Sequence, residues 1–159
     1  MGQNGIKWLK VVQKGSPLIE RKFCRLTWFV GAYEHALDEK GRVVLPSKFR
    51  KHFSDNSYLS VHDDGCLALW TAEQFESQAV KRLESDQEGA LLDRNLARRW
   101  AASVQEVKVD SQGRLPIPLK LREFANLSGE IVINGVMNRV EIWNKEKWLA
   151  IDSMPMDVA

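Results

Sequence analysis

Asp38-Glu-Lys-Gly-Arg-Val-Val-Leu-Pro-Ser-Lys-Phe-Arg50 returns 72 positions later as Asp110-Ser-Gln-Gly-Arg-Leu-Pro-Ile-Pro-Leu-Lys-Leu-Arg122. Six of the thirteen positions are identical (Asp, Gly, Arg, Pro, Lys and the final Arg), and three more exchange one apolar residue for another. Farther on, Trp70 matches Trp143 and Phe75 matches Trp148 at an offset of 73. Two copies imply a pseudo-twofold unit, because a solenoid needs three or more repeats to bury its faces.

The same local physics reads both copies. Tyr33–Leu37 and Val104–Val109 precede the motif as strand-like segments, the second with apolar Val107 and Val109 two apart. Asp-x-x-Gly then predicts a tight turn, since the aspartate can accept backbone N–H groups ahead of it and Gly41 or Gly113 reaches positive φ without penalty. The returning runs Arg42–Leu45 and Arg114–Ile117 predict a second strand, so each copy is expected to form a β-hairpin around its turn. Pro46 and Pro118 suit the start of a short helix. Tyr58–His62 with Cys66–Trp70, and Glu130–Asn134 with Arg139–Trp143, predict two further strands per copy. Asp63-Asp-Gly65 is a clear turn, and 135–138 a looser one. Each copy is thus a strand–strand–helix–strand–strand unit. Thr71-Ala-Glu-Gln74 predicts a capped helix after copy one. Asn144 caps its counterpart after copy two. Asp86–Ser103 predicts a longer helix between the copies, with Leu92, Leu96 and Trp100 four apart.

Composition narrows the chemistry. The 159 residues are 44% apolar and 28% charged, as expected for an ordinary globular chain. No apolar run approaches the roughly 20 residues of a membrane span. Two cysteines and three scattered histidines suit neither a disulfide scaffold nor a zinc site, and no cofactor is expected. Net charge is +2, but residues 1–28 carry +5 and the rest carries −3. A phosphate-binding surface in the body must therefore come from local clustering.

The repeated motif supplies that clustering. Residues 38–52 carry a net +3, against +1 for 110–123. Arg42 and Arg114 offer planar guanidinium forks suited to phosphate oxygens or a guanine edge. Lys40, Lys48 and Arg50 add charge in copy one, where Lys40 stands against Gln112 in copy two. Arg50 and Arg122 also end their helices, where a cation favours the helix dipole, so a structural role competes with contact to DNA. Asp38, Gly41, Asp110 and Gly113 are read as turn organisers. A catalytic aspartate pair is disfavoured because each carboxylate has an arginine four residues on. No enzymatic activity and no small-molecule substrate is expected. Trp70, Trp100 and Trp143 read as core or interface anchors.

The run Phe29-Val-Gly-Ala-Tyr-Glu-His-Ala-Leu-Asp38, continuing through Arg50, resembles the opening of MraZ proteins. Asp110-Ser-Gln-Gly-Arg-Leu-Pro-Ile-Pro118 and Asn138-Arg-Val-Glu-Ile-Trp143 resemble their second half. The resemblance spans nearly all of 29–149 and leaves out the first 28 residues. It implies an α+β chain in which two SpoVT-AbrB type domains join as a duplicated, swapped-hairpin (double-split) β-barrel with flanking helices. The domains fall at 29–78 and 103–149, with a connecting helix over 79–102 and a tail over 150–159. Residues 1–28 are then an extension, expected to be disordered or a start-site artefact. The resemblance also implies a ring-like homo-oligomer that binds double-stranded DNA at short direct repeats. Its targets would be the promoters of a division and cell-wall gene cluster, in the cytoplasm at the nucleoid. Asp38 with Arg42 and Asp110 with Arg114 carry the family's Asp-x-x-x-Arg signature unchanged. Two other readings stay open: a protein-binding, antitoxin-like module, and a structural ring without a DNA role.

Overall fold

A computed structural model describes residues 28–156. The extension expected over 1–28 therefore lies outside the described residues, apart from Trp28. Copy one runs β1 (Phe29–Ala36), β2 (Arg42–Val44), α1 (Ser47–Arg50), β3 (Ser57–Val61) and β4 (Leu67–Thr71). The helices α2 (Ala72–Glu88) and α3 (Leu91–Ser103) follow. Copy two runs β5 (Gln105–Val107), β6 (Arg114–Pro116), α4 (Leu119–Phe124), β7 (Glu130–Met137) and β8 (Arg139–Asn144), and α5 (Lys145–Asp152) ends it.

The architecture is α+β and antiparallel. One sheet has the order β1-β7-β8-β4-β3-β5, and β2 and β6 form a separate two-stranded ribbon. The six-stranded sheet is open, with β1 and β5 at its edges, and is not closed into a barrel. Only β3–β4 and β7–β8 pair within a copy; β1–β7, β4–β8, β3–β5 and β2–β6 all join one copy to the other. Val43 pairs with Leu115 and Ala68 with Glu141, each residue facing its own counterpart in the other repeat, so the pseudo-twofold axis passes through both pairs.

This corrects the expected hairpins. The strands flanking each Asp-x-x-Gly turn do not pair with one another; β1 turns to β7 and β2 to β6. A turn motif specifies only the reversal of the chain, whereas strand partners are chosen by which faces become buried. Two further expectations shift. The helix expected from Asp86 begins at Leu91, because the chain breaks at Gly89, where α2 ends, and restarts at Ala90, whose N–H donates to Asp93 Oδ2 at 3.1 Å. The connection expected to be loose between β7 and β8 is tight: Val136 pairs with Arg139, and Met137 takes φ +54°.

Alternation along the strands sorts the side chains into layers. Leu67 and Leu69 of β4 and Val140 and Ile142 of β8 face inward, where Val43 and Leu115 of the ribbon, Phe49 of α1 and Leu121 of α4 meet them. All eight are at most 3% exposed, and burying such a side chain contributes about 1.5–3 kcal/mol. The opposite face of the sheet is covered by α2, α3 and α5. Tyr58 stacks on Phe75 and Phe75 on Trp100, while Trp148 packs by Trp143. Trp70, Trp100 and Trp143 are buried. The ribbon therefore lies on one side of the molecule and the long helices on the other.

Candidate nucleic-acid interface

Each turn is built by one aspartate. Asp38 Oδ1 accepts the backbone N–H of Lys40 and of Arg42, both at 2.9 Å, and Oδ2 accepts Arg42 Nε at 2.8 Å. Asp110 repeats the pattern with Gln112 and Arg114, its Oδ2 lying 2.6 Å from Arg114 Nε. Backbone bonds close both loops, from Gly41 N to Asp38 O and from Gly113 N to Asp110 O. Gly41 and Gly113 sit at φ +72° and +78°, a conformation that costs an L side chain roughly 1–2 kcal/mol. The same bonds set the acidity. The Arg42 N–H, then its guanidinium and the Lys40 N–H, hold the exposed Asp38 carboxyl below its ordinary value. Arg114 and Gln112 do the same for Asp110. Both carboxylates are thereby committed as acceptors to their own turns, an arrangement unlike that of a proton-sharing pair.

The ribbon decides where the arginines point. In β2–β6, Arg42 lies opposite Pro116 and Val44 opposite Arg114. Successive side chains alternate between faces, so the buried Val43 and Leu115 point inward and Arg42, Val44, Arg114 and Pro116 share the outer face. The two arginines occupy diagonal corners, with Cα atoms on the order of 7–8 Å apart in such a pairing. Their side chains are 27% and 32% exposed, and each is anchored through Nε, which leaves the terminal nitrogens as its outward donors.

The remaining expected site residues are placed less uniformly. Lys40 is exposed at the tip of its turn and Lys48 is exposed on α1. Arg50 is half-buried and donates its Nε to Leu45 O at 2.7 Å, and Arg122 donates its own to Ile117 O at 3.0 Å. Leu45 N in turn donates to Gly113 O at 2.8 Å, and Ile117 N to Gly41 O at 3.0 Å. The ribbon is thus stitched across the copies at both ends. Sequence reasoning did not foresee this stitching, whose one visible trace was the shared arginine at the end of both motif copies.

On the far side of the sheet, His62, Cys66 and Glu141 bring potential ligand atoms within 4.8 Å of one another. Their chemistry opposes a cation. Glu141 accepts Arg139 through Oε1 and Trp143 Nε1 through Oε2, and burial pushes the Cys66 thiol up, away from the thiolate a metal requires. A cleft of about 630 Å³ lies there too, lined in part by Asn134, Arg139, Trp143 and Trp148. Among the described residues no helix is long and apolar enough to cross a membrane.

Fold and site together define a class: a duplicated α+β protein whose two copies exchange strand partners and present a matched pair of aspartate-anchored arginines on one ribbon. The model of the family described as "MraZ protein, putative antitoxin-like" matches residues 28–95 and 101–154. A relative from Clostridium acetobutylicum is 37% identical over 132 residues, covering 82% of this chain and 91% of its own. One from Lachnoclostridium phytofermentans is 38% identical over 122 residues (76% and 84%), and one from Natranaerobius thermophilus is 37% identical over 122 residues (76% and 83%). All three are named "Transcriptional regulator MraZ". This chain belongs to the MraZ family.

Proposed function

We propose that this protein is a transcriptional regulator that binds double-stranded DNA through the outer face of the β2–β6 ribbon. The observation that carries this reading is the placement of Arg42 and Arg114 on one outward face, on either side of the pseudo-twofold axis, with the copies' turns beside them. A two-stranded ribbon fits the width of the major groove, and an arginine held through Nε offers its paired terminal nitrogens to phosphate or to guanine O6 and N7. Lys40 and Lys48 add phosphate contacts on the copy-one side, and Arg50 supports the ribbon. Copy one is the stronger half, because copy two has Gln112 where copy one has Lys40.

The unit of binding is the pair of AbrB-type domains, 29–78 and 103–149, which exchange strand partners and are joined through α2 and α3; the cross-copy pairing of β2 with β6 supports that arrangement. Several such units in a ring-like homo-oligomer would set equivalent ribbons along one face of a duplex, which suits short direct repeats. The action is repression, at the nucleoid in the cytoplasm, of a division and cell-wall gene cluster that includes the protein's own promoter. The relatives' printed name supports the regulatory reading. A mobility shift with DNA from upstream of its own gene, across a salt series, tests it. Preferential binding over scrambled DNA, with affinity falling steeply in log[salt], is expected. Equal binding to both fragments would overturn sequence-specific regulation and favour the structural ring without a DNA role, whereas co-purification of a small partner would favour the protein-binding module.

A further inference from the structure

The last identity shared by the two motif copies, Arg50 and Arg122, has no part in either turn's own hydrogen bonds. A Cβ added to Gly41 would strike the Arg122 guanidinium, and one added to Gly113 would strike Arg50. Each arginine therefore fills the space beneath the recognition turn of the other copy. Three contacts close a circuit on each side. Gly113 O accepts Leu45 N, Leu45 O accepts Arg50 Nε, and the Arg50 side chain packs back against the Gly113 Cα. Gly41, Ile117 and Arg122 repeat the circuit. Both glycines are buried although the turns they belong to project outward.

Resting on the DNA-binding reading above, we propose that Arg50 and Arg122 are positioning residues that act crosswise: Arg122 of copy two sets the aim of Arg42, and Arg50 of copy one sets the aim of Arg114. The physical argument is the span of the turn. The Asp38 bonds fix Arg42 relative to Lys40, but the turn as a whole meets the other copy through Gly41. A planar guanidinium, held in place by a carbonyl, is a rigid floor there; a lysine ammonium is a flexible point charge that cannot reproduce it. A residue that contacted phosphate by itself would instead act independently of either turn.

The crossed pattern gives the test. In the full chain, Arg122→Ala should weaken binding to the upstream DNA by about tenfold, a loss of the size expected when a charge-assisted hydrogen bond is removed. It should add little in an Arg42→Ala background and add fully in an Arg114→Ala background. Arg50→Ala should show the mirror pattern. Equal additivity in both backgrounds, or coupling within a copy rather than across, overturns the proposal. A DNA-free arm separates its failure from that of the functional reading, and uses Arg122→Lys and Arg50→Lys in case the alanine variants do not fold. In ¹⁵N spectra of the side-chain Nε–H groups, Arg122→Lys should move the Arg42 resonance and spare that of Arg114, with the converse for Arg50→Lys. Both resonances moving alike, or neither moving, overturns it.

Discussion

Copy one and copy two share every bond of the Asp–Gly–Arg turn but differ in much of what surrounds it. β1 has eight residues and β5 three; 17- and 13-residue helices follow copy one, and a single eight-residue helix follows copy two. The buried tryptophans at the equivalent strand ends are satisfied differently, Trp70 Nε1 by Ser60 Oγ at 3.0 Å and Trp143 Nε1 by Glu141 Oε2 at 2.9 Å. Lys40 and Val44 of copy one stand where copy two has Gln112 and Pro116. The lesson is that this duplicated fold holds constant the turn bonds and the backbone stitches of the ribbon, and lets drift strand length, the following helices and the acceptors of the buried tryptophans.

The satisfaction of the tryptophans offers the sharpest break. Glu141 is 4% exposed, pairs with Arg139 and serves Trp143, so Glu141→Ala leaves the Trp143 indole N–H without its acceptor and the half-buried Arg139 guanidinium with Asn138 Oδ1 alone. Each of the two hydrogen bonds lost to this charged acceptor is worth about 1.5–3 kcal/mol, which a urea melt will show. The matching change in copy one, Ser60→Ala, removes a neutral acceptor and should cost only about 1–3 kcal/mol.

Next come the glycines, where the copies should behave alike. Gly41→Ala and Gly113→Ala each force positive φ on a side chain, for about 1–2 kcal/mol, and each displaces an arginine of the other copy. Closely similar losses in thermal melts are expected. A loss confined to one of them would mean that the two turns are not equivalent parts of one ribbon.

Lys40→Gln gives turn one the side chain that copy two carries at the same place. It should weaken DNA binding a few-fold and reduce the salt slope by about one, without altering the melt. Gln112→Lys should do the reverse.

The smallest effect concerns acid. His35 has no counterpart in copy two, where Val107 stands 72 positions on. Burial first, and the Arg50 charge second, push its pKa below 6.5. The unfolded chain then binds the proton more readily than the folded one, so stability is full above pH 6.5 and declines as the pH falls toward the lowered folded value. His35→Val should flatten that part of a stability–pH profile, leaving the slope from His52, which shifts in the same direction.

Much of this was legible beforehand, for identifiable reasons. The duplication, the turn aspartates and the strand segments announce themselves locally, through identity, Asx geometry and alternation. The Thr71 cap does so as well, its Oγ1 accepting Gln74 N at 3.3 Å. Strand partners were not legible, because the pairing of Val43 with Leu115 is decided by burial between segments 72 residues apart and leaves no mark on either segment. The role of Arg50 stayed ambiguous for the same reason. A cation at a helix end satisfies several local rules, and only the fold brings it beneath Gly113.

Substituting the two outward arginines one at a time, in the same mobility-shift assay on upstream DNA, puts the DNA-binding face itself on trial. Arg42→Ala should abolish most of the shift while the melt stays within a few degrees of the parent, and Arg114→Ala should lose less. A shift by Arg42→Ala with the parent's affinity and salt dependence would contradict the account.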